Sequence, residues 1–296
     1  MKKIIKKILK RIIPLIILEY IYPNRFSNNI HNVFIRTKDE IAKKELYLFL
    51  RKDSFMEAVI NQKGLYGDWE KESLKIWAKL SQRAQTIIDI GANTGIYSLI
   101  SQNNNINAKI IAIEPVDLNY NILVKNIERN KFPILSEKIA LSDKEGTAKM
   151  FMLKDKLNYM TSINDNRYDL HPEIKGNTEV VEIEVVMKPF SYVYNKYTLD
   201  KIDLIKIDVE GHEITVLKSM LPYIEKFMPS IIIEIIGNDN AEILNAMFSE
   251  FEYEFVSIDE ENKSKKVNKL WDNNHHNFLI CSKETVNYLQ SINLVE

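Results

Sequence analysis

Of the 296 residues only one, Cys281, is a cysteine. That excludes a disulfide framework and a thiolate metal cluster, and it fits a reducing, cytoplasmic compartment. Charge of one sign is missing too: 40 Lys and Arg against 41 Asp and Glu leave a net charge of −1. No global positive field draws the chain to nucleic acid, so no polynucleotide partner is expected. Long apolar runs are absent as well. The uninterrupted run near the N-terminus, Ile12 to Leu18, contains Pro14 and stops at Glu19, which is too short for a membrane span. A signal peptide would share the basic start, but no small-residue cleavage site follows. Neither an internal repeat nor a low-complexity segment is present.

What is there is the composition of a globular protein with a real core, 45 % hydrophobic and 27 % charged. The length holds one large domain, or one domain with an appendage. Near the N-terminus, apolar doublets (Ile4-Ile5, Ile8-Leu9, Ile12-Ile13) alternate with basic ones (Lys2-Lys3, Lys6-Lys7, Lys10-Arg11). That spacing puts isoleucines on one helical face and cations on the other. Two readings of residues 1–22 stay open: a helix lying on an anionic membrane surface, or one packed on the domain with its lysines in water.

Residues 33–85 mix an edge strand (Leu46 to Arg51) with a helix (Trp69 to Leu80). From Thr86 the pattern becomes strand, turn, helix. Strands are expected at Ile87–Ile90, Lys109–Ile113 and Ile134–Leu141, and helices at Thr94–Gln102 and Val116–Asn130. Such alternation implies a parallel sheet with helices on both faces. The rhythm then breaks. Gly146–Leu153 and Val180–Met187 read as an antiparallel β-hairpin around a long polar loop, 154–178, of the kind that is often functional. Alternation resumes with strand Ile202–Asp208, helix Ile214–Phe227, strand Ser230–Ile236 and helix Asn240–Phe251. Strands Tyr253–Ile258 and Phe278–Ser282, around loop 259–277, close it.

The segment Thr86-Ile-Ile-Asp-Ile-Gly-Ala-Asn-Thr-Gly-Ile-Tyr-Ser98 is the most informative. A buried strand feeds a glycine turn, where backbone comes close to a ligand. Glu114, closing the next strand about twenty residues on, is placed to grip a ribose diol. Asp89 can meet an ammonium, and Gly91 and Gly95 leave room for close approach. A dinucleotide site needs Gly-x-Gly-x-x-Gly to seat a pyrophosphate; Gly91-Ala-Asn-Thr-Gly95 fails that spacing and suits S-adenosylmethionine. A glycine turn that binds nothing is the plain alternative.

Four segments resemble the FkbM-type methyltransferases: Asp89 to Ser98; Glu114-Pro-x₃-Asn119-x₆-Asn126-x₃-Asn130; Ala140-Leu-Ser-Asp143 with Gly146; and Ile205-Lys-Ile-Asp-Val-Glu-Gly-His-Glu213 with Val216-Leu-Lys218. Pro229-Ser-Ile-Ile-Ile-Glu234 continues the match. The resemblance covers roughly residues 64–282. It implies an α/β, Rossmann-like methyltransferase fold: a mostly parallel seven-stranded sheet with helices on both faces and the added hairpin. Residues 64–283 would form that domain, 1–63 an N-terminal appendage and 284–296 a tail. It also implies O-methylation, with S-adenosylmethionine as cofactor, of a hydroxyl on a small molecule or glycan: a cell-surface sugar or a secondary metabolite. A binder that has lost catalysis and an N-methyltransferase remain as alternatives.

On this reading the cofactor meets Asp89, Gly91, Asn93, Gly95, Tyr97, Glu114, Pro115, Ser142 and Asp143, the last two at the adenine. Ser and Asp also favour turns unaided. Asp208-Val-Glu-Gly-His-Glu213 ends a central strand, where open α/β sheets put their ligands. Methyl transfer to a hydroxyl is mostly alignment, plus a base for the proton. His212 has the best-matched intrinsic pKa; Asp208, Glu210 and Glu234 are the other catalytic candidates. Those three carboxylates could also hold a hard cation, but a hydroxyl pocket needs them without one, and no resident metal is expected. His275-His276 lacks further ligands at zinc spacing. Trp69 and Glu70 would cover the methionine end of the cofactor or, more plainly, pack in the core.

Overall fold

The computed structural model describes residues 33–51, 55–153, 161–162, 180–272 and 277–296. The basic segment 1–22, most of loop 154–178, and His275-His276 lie outside them. Among the described residues, no helix is long and apolar enough to cross a membrane.

Strands β1 (Val33–Asp39) and β2 (Lys44–Leu50) form an antiparallel hairpin, followed by α1 (Phe55–Lys63) and α2 (Lys71–Ser81). β3 (Thr86–Ile90), α3 (Ile96–Asn104), β4 (Lys109–Ile113), α4 (Asp117–Asn130) and β5 (Leu135–Glu137) come next. β6 (Ala140–Ser142), β7 (Gly146–Leu153), β8 (Thr161–Ser162) and β9 (Val180–Pro189) make a separate four-stranded sheet. The main sheet is completed by β10 (Leu204–Ile207), β11 (Ser230–Glu234), β12 (Glu254–Ser257), β13 (Lys265–Val267) and β14 (Asn277–Cys281). Between and after these strands lie α5 (Phe190–Lys196), α6 (Glu213–Phe227), α7 (Asn238–Phe248) and α8 (Lys283–Ser291).

The main sheet runs β13-β12-β14-β11-β10-β3-β4-β5. β5, β4, β3, β10 and β11 are parallel, and β14 enters antiparallel between β11 and β12. This is the expected Rossmann-like α/β fold. The seven expected strands are present, and β13, inside the stretch read as a loop, adds an eighth at the edge. One expected strand divides: Leu135–Glu137 closes the main sheet, while Ala140–Ser142 crosses to pair with β9 in the small one. The expected hairpin is β7 against β9, in register from Gly146↔Met187 to Leu153↔Val180.

Side chains alternate across a pleated strand, and here the alternation separates two cores. Ile88, Ile90, Ile205, Ile207, Ile231 and Ile233 face α5, α6 and α7. Ile87, Ile110, Leu204, Ile232 and Leu279 face α2, α3 and the β1–β2 hairpin. From Val33 on, the N-terminal segment therefore builds the same core as the sheet. Asn126 and Asn130 on α4 tie it down: Asn126 accepts from Phe49 N–H at 2.7 Å, and Asn130 both accepts from Tyr47 N–H and donates to its carbonyl. Helix α8, in the stretch read as a tail, is capped by Ser282, which accepts from Thr285 N–H, and buries Val286 and Leu289.

Candidate active site

The chain leaves β3 toward β4 on one side and returns through β10 on the other, so the sheet order reverses between β3 and β10. Ligands of open α/β sheets bind at this switch point, beyond the carboxyl ends of the strands. Here the two exit loops touch. A Cβ on Gly91 would lie 1.8 Å from the carbonyl oxygen of Asp208, and one on Gly95 2.4 Å from Leu123. Both glycines have positive φ, 79° and 93°. Their first task is thus packing of loop on loop and turn on helix.

On β3, β4, β10 and β11 the face that carries Ile87, Ile110, Leu204 and Ile232 turns acidic at its C-terminal end, at Asp89, Glu114, Asp208 and Glu234. Asp89 is buried and accepts from Ser98 at its N–H (3.0 Å) and hydroxyl (2.6 Å). It satisfies an otherwise orphaned N–H in the first turn of α3. Burial pushes Asp89 up to about 6, against the Ser98 bonds and the Lys206 charge. Glu114 accepts from Asn93 N–H and Val116 N–H, both at 2.9 Å, one on each oxygen. Burial pushes it up to about 7. A carboxylate has about four acceptor sites, so capacity remains for a ligand hydroxyl. Pro115 is half-buried beside it.

Tyr97, on α3, donates its hydroxyl to Glu70 at 2.6 Å, and Trp69 packs edge-on to its ring. Glu70, raised to about 7 chiefly by burial, precedes α2 at φ 43°. Asn93 and Glu210 share this rare conformation, at 52° and 56°. Strained backbone of this kind clusters at functional sites, and all three residues border the switch point.

Asp208, Glu210 and Glu234 come together, each offering an oxygen within 4.8 Å of the others. Glu213 accepts from Val209 and Gly211 N–H and pins the loop that carries them. Lys206, buried in β10, reaches Asp208 at 3.1 Å and its ammonium lies 5.0 Å from the centre of the Tyr97 ring. Hard oxygen ligands of this kind suit a divalent cation, but Lys206 already sets one positive charge against them. His212 stands elsewhere. Its Nε2 is 3.2 Å from the Ser142 hydroxyl, which also donates to Asp143. Burial lowers its pKa, with Asp143 pulling the other way. The structure thus divides the expected catalytic set: three carboxylates on one side, and His212 with the Ser142–Asp143 turn on the other.

Sequence reasoning missed Lys206. Its signal was a charge inside the apolar run Leu204 to Ile207. A surface cavity of about 260 Å³, lined by Tyr66, Lys75, Lys79 and Leu294 among others, shares no residue with this crevice.

Residues 89–255 match the Methyltransferase FkbM domain. The chain belongs to that methyltransferase family. Methyltransferase sdnD of Sordaria araneosa is 30 % identical over 154 residues, which is 45 % of this chain and 60 % of that protein. Methyltransferase 1 of Beauveria bassiana is 26 % identical over 147 residues, 45 % of this chain and 57 % of that protein. The chain therefore spans less than two thirds of these relatives. A crystal structure of Methyltransferase FkbM from Methylobacillus flagellatus aligns with a TM-score of 0.42 at 15 % identity, over 67 % of this chain and 43 % of that one.

Proposed function

We propose that the chain is an S-adenosylmethionine-dependent O-methyltransferase acting on a hydroxyl, in a sugar of a glycan or in a secondary metabolite. The acceptor class follows from the family likeness. The observation that carries the cofactor is the gathering of acids: Glu70, Asp89, Glu114, Asp208, Glu210 and Glu234 border the switch point, with Lys206 among them. S-adenosylmethionine, with a sulfonium and an ammonium, carries net positive charge and suits such a wall. A pyrophosphate does not.

Glu114 would hold the ribose hydroxyls, Ser142, Asp143 and His212 would border the adenine, and Tyr97, Glu70 and Asp89 would lie toward the ammonium end. The bound cofactor supplies an already activated methyl group. The chain's own work is to align the acceptor and take its proton. The Asp208–Glu210–Glu234 cluster is the base we favour, because three carboxylates gather there while His212 is turned to Ser142. As the acceptor oxygen took the methyl group in place of the sulfur, its hydroxyl proton would pass to a carboxylate of this cluster.

The test is transfer of tritium from the labelled cofactor to hydroxylated acceptors: free sugars, glycans and polyols. Label in an ether that survives alkali supports the reading; label on amines only, or on no acceptor while the chain binds the cofactor, contradicts it. Contact of residues 1–22 with anionic membranes is a separate proposal. Equal liposome flotation with and without that segment would end it.

A further inference from the structure

Lys206 is buried where the sheet would otherwise be apolar, and it takes no proton in methyl transfer. Lys206 is 1 % exposed in a strand whose other residues are Leu204, Ile205 and Ile207. Its register neighbours are Asp89 on β3 and Ile232 on β11. An isoleucine here would continue the core, and a buried ion pair is seldom more stabilising than a hydrocarbon of similar volume. Packing therefore does not explain the lysine. Its surroundings do. Lys206 and Asp208 are two apart on one strand and emerge on one face, with Nζ 3.1 Å from the Asp208 carboxylate. The groups facing it are Asp89 from β3, Tyr97 from α3, Glu70 from the turn before α2, and Glu234 from β11. Burial alone would lower its pKa, but Asp208, Glu70 and Glu234 outweigh that and raise it. The ammonium stays charged.

We propose that Lys206 is the positioning residue of the reaction centre, fixing the Asp208 carboxylate in place and in ionised form so that it can take the acceptor's proton. The proposal rests on the reading of the crevice given above. It acts through Asp208 and needs no contact with substrate.

The test is the titration of Asp208 itself, followed by carbon NMR on the full chain labelled at the aspartate carboxyls and assigned by the signal lost in Asp208→Asn. In Lys206→Met the Asp208 midpoint should rise by at least one pH unit, about tenfold in proton affinity. In Lys206→Arg, which keeps the charge, it should return toward the wild-type value. A midpoint unmoved by Lys206→Met would overturn the proposal, since a packing role would not shift it. Should Lys206→Met fail to fold, nitrogen NMR of the lysine side chains decides. The Lys206 ammonium signal should shift in Asp208→Asn, and an unchanged signal would overturn the coupling. Calorimetry with S-adenosylhomocysteine on the wild-type chain tests the crevice alone. Binding with an unmoved Asp208 midpoint sinks the positioning role and spares the crevice; no binding with a moved midpoint does the reverse.

Discussion

The two faces of the central sheet are written by the same strands of four or five residues and do different work. Toward α5, α6 and α7, strands β3, β10 and β11 present Ile88, Ile90, Ile205, Ile207, Ile231 and Ile233, all at most 1 % exposed. Toward α2 and α3 the same strands begin as apolar and end in Asp89, Lys206 and Glu234. Burying hydrocarbon contributes roughly 25 cal/mol per Å², so the first face stabilises along its whole length and the second only where Ile87, Leu204 and Ile232 are packed. Burying carboxylates opposes folding unless they find donors, so the acidic end of the second face is tolerated for what it can bind. The lesson lies in the period of two: one residue in each pair serves the core, and its neighbour is available for chemistry.

The largest effect should come from the apolar face. Phe278→Ala removes a fully buried ring beside Trp271 and should cost about 3–5 kcal/mol in urea denaturation, leaving S-adenosylhomocysteine affinity of the folded fraction unchanged. A weakened affinity in that fraction would blur the division of labour. On the acidic face, Asp208→Asn should lower methyl transfer at least about 100-fold, the low end of general-base contributions, while the chain still folds and binds the homocysteine product. Glu114→Gln is a smaller change. It should weaken that product's binding by about tenfold to a hundredfold, or roughly 1.4–2.8 kcal/mol, in a chain that still folds, although one of the two backbone N–H groups of Asn93 and Val116 loses its acceptor.

The smallest and broadest effect is on pH dependence. Burial raises Asp89 to about 6, and Glu114 and Glu213 to about 7. Between their unfolded values, near 4, and those raised values, the native chain holds more protons than the unfolded one. Stability of the ligand-free chain should therefore fall as pH rises through that window, and urea midpoints at pH 5 and pH 7 measure it. A midpoint that climbs from pH 5 to pH 7 would show that these groups ionise early, as solvated carboxylates do.

Much of this was legible in the sequence, because apolar runs bounded by glycine or acid mark strands and their exits. Thr86 to Gly95, Lys109 to Glu114 and Ile205 to Asp208 gave the strands, the turn and the acids at their ends. What escaped depends on partners distant in the chain. Ile134 to Leu141 reads as one strand because nothing in residues 138–139 announces a change of sheet. Helix α5 is only seven residues long and follows Pro189 without an acidic first turn. The contact between Gly91 and the Asp208 carbonyl joins segments more than a hundred residues apart, so the glycine looked like a ligand feature alone. His212 sits in the same motif as Asp208, yet its ring turns to Ser142 of another sheet, which no spacing within the motif can reveal.

The acidic crevice at the β3–β10 switch point is proposed to hold an adenosyl cofactor. Calorimetric titration of the chain with S-adenosylhomocysteine, beside NAD, decides it. One saturable site for the former, weakened by Glu114→Gln, with no heat from the dinucleotide, is the expected result. Saturable binding of NAD, or product binding indifferent to Glu114→Gln, would contradict it.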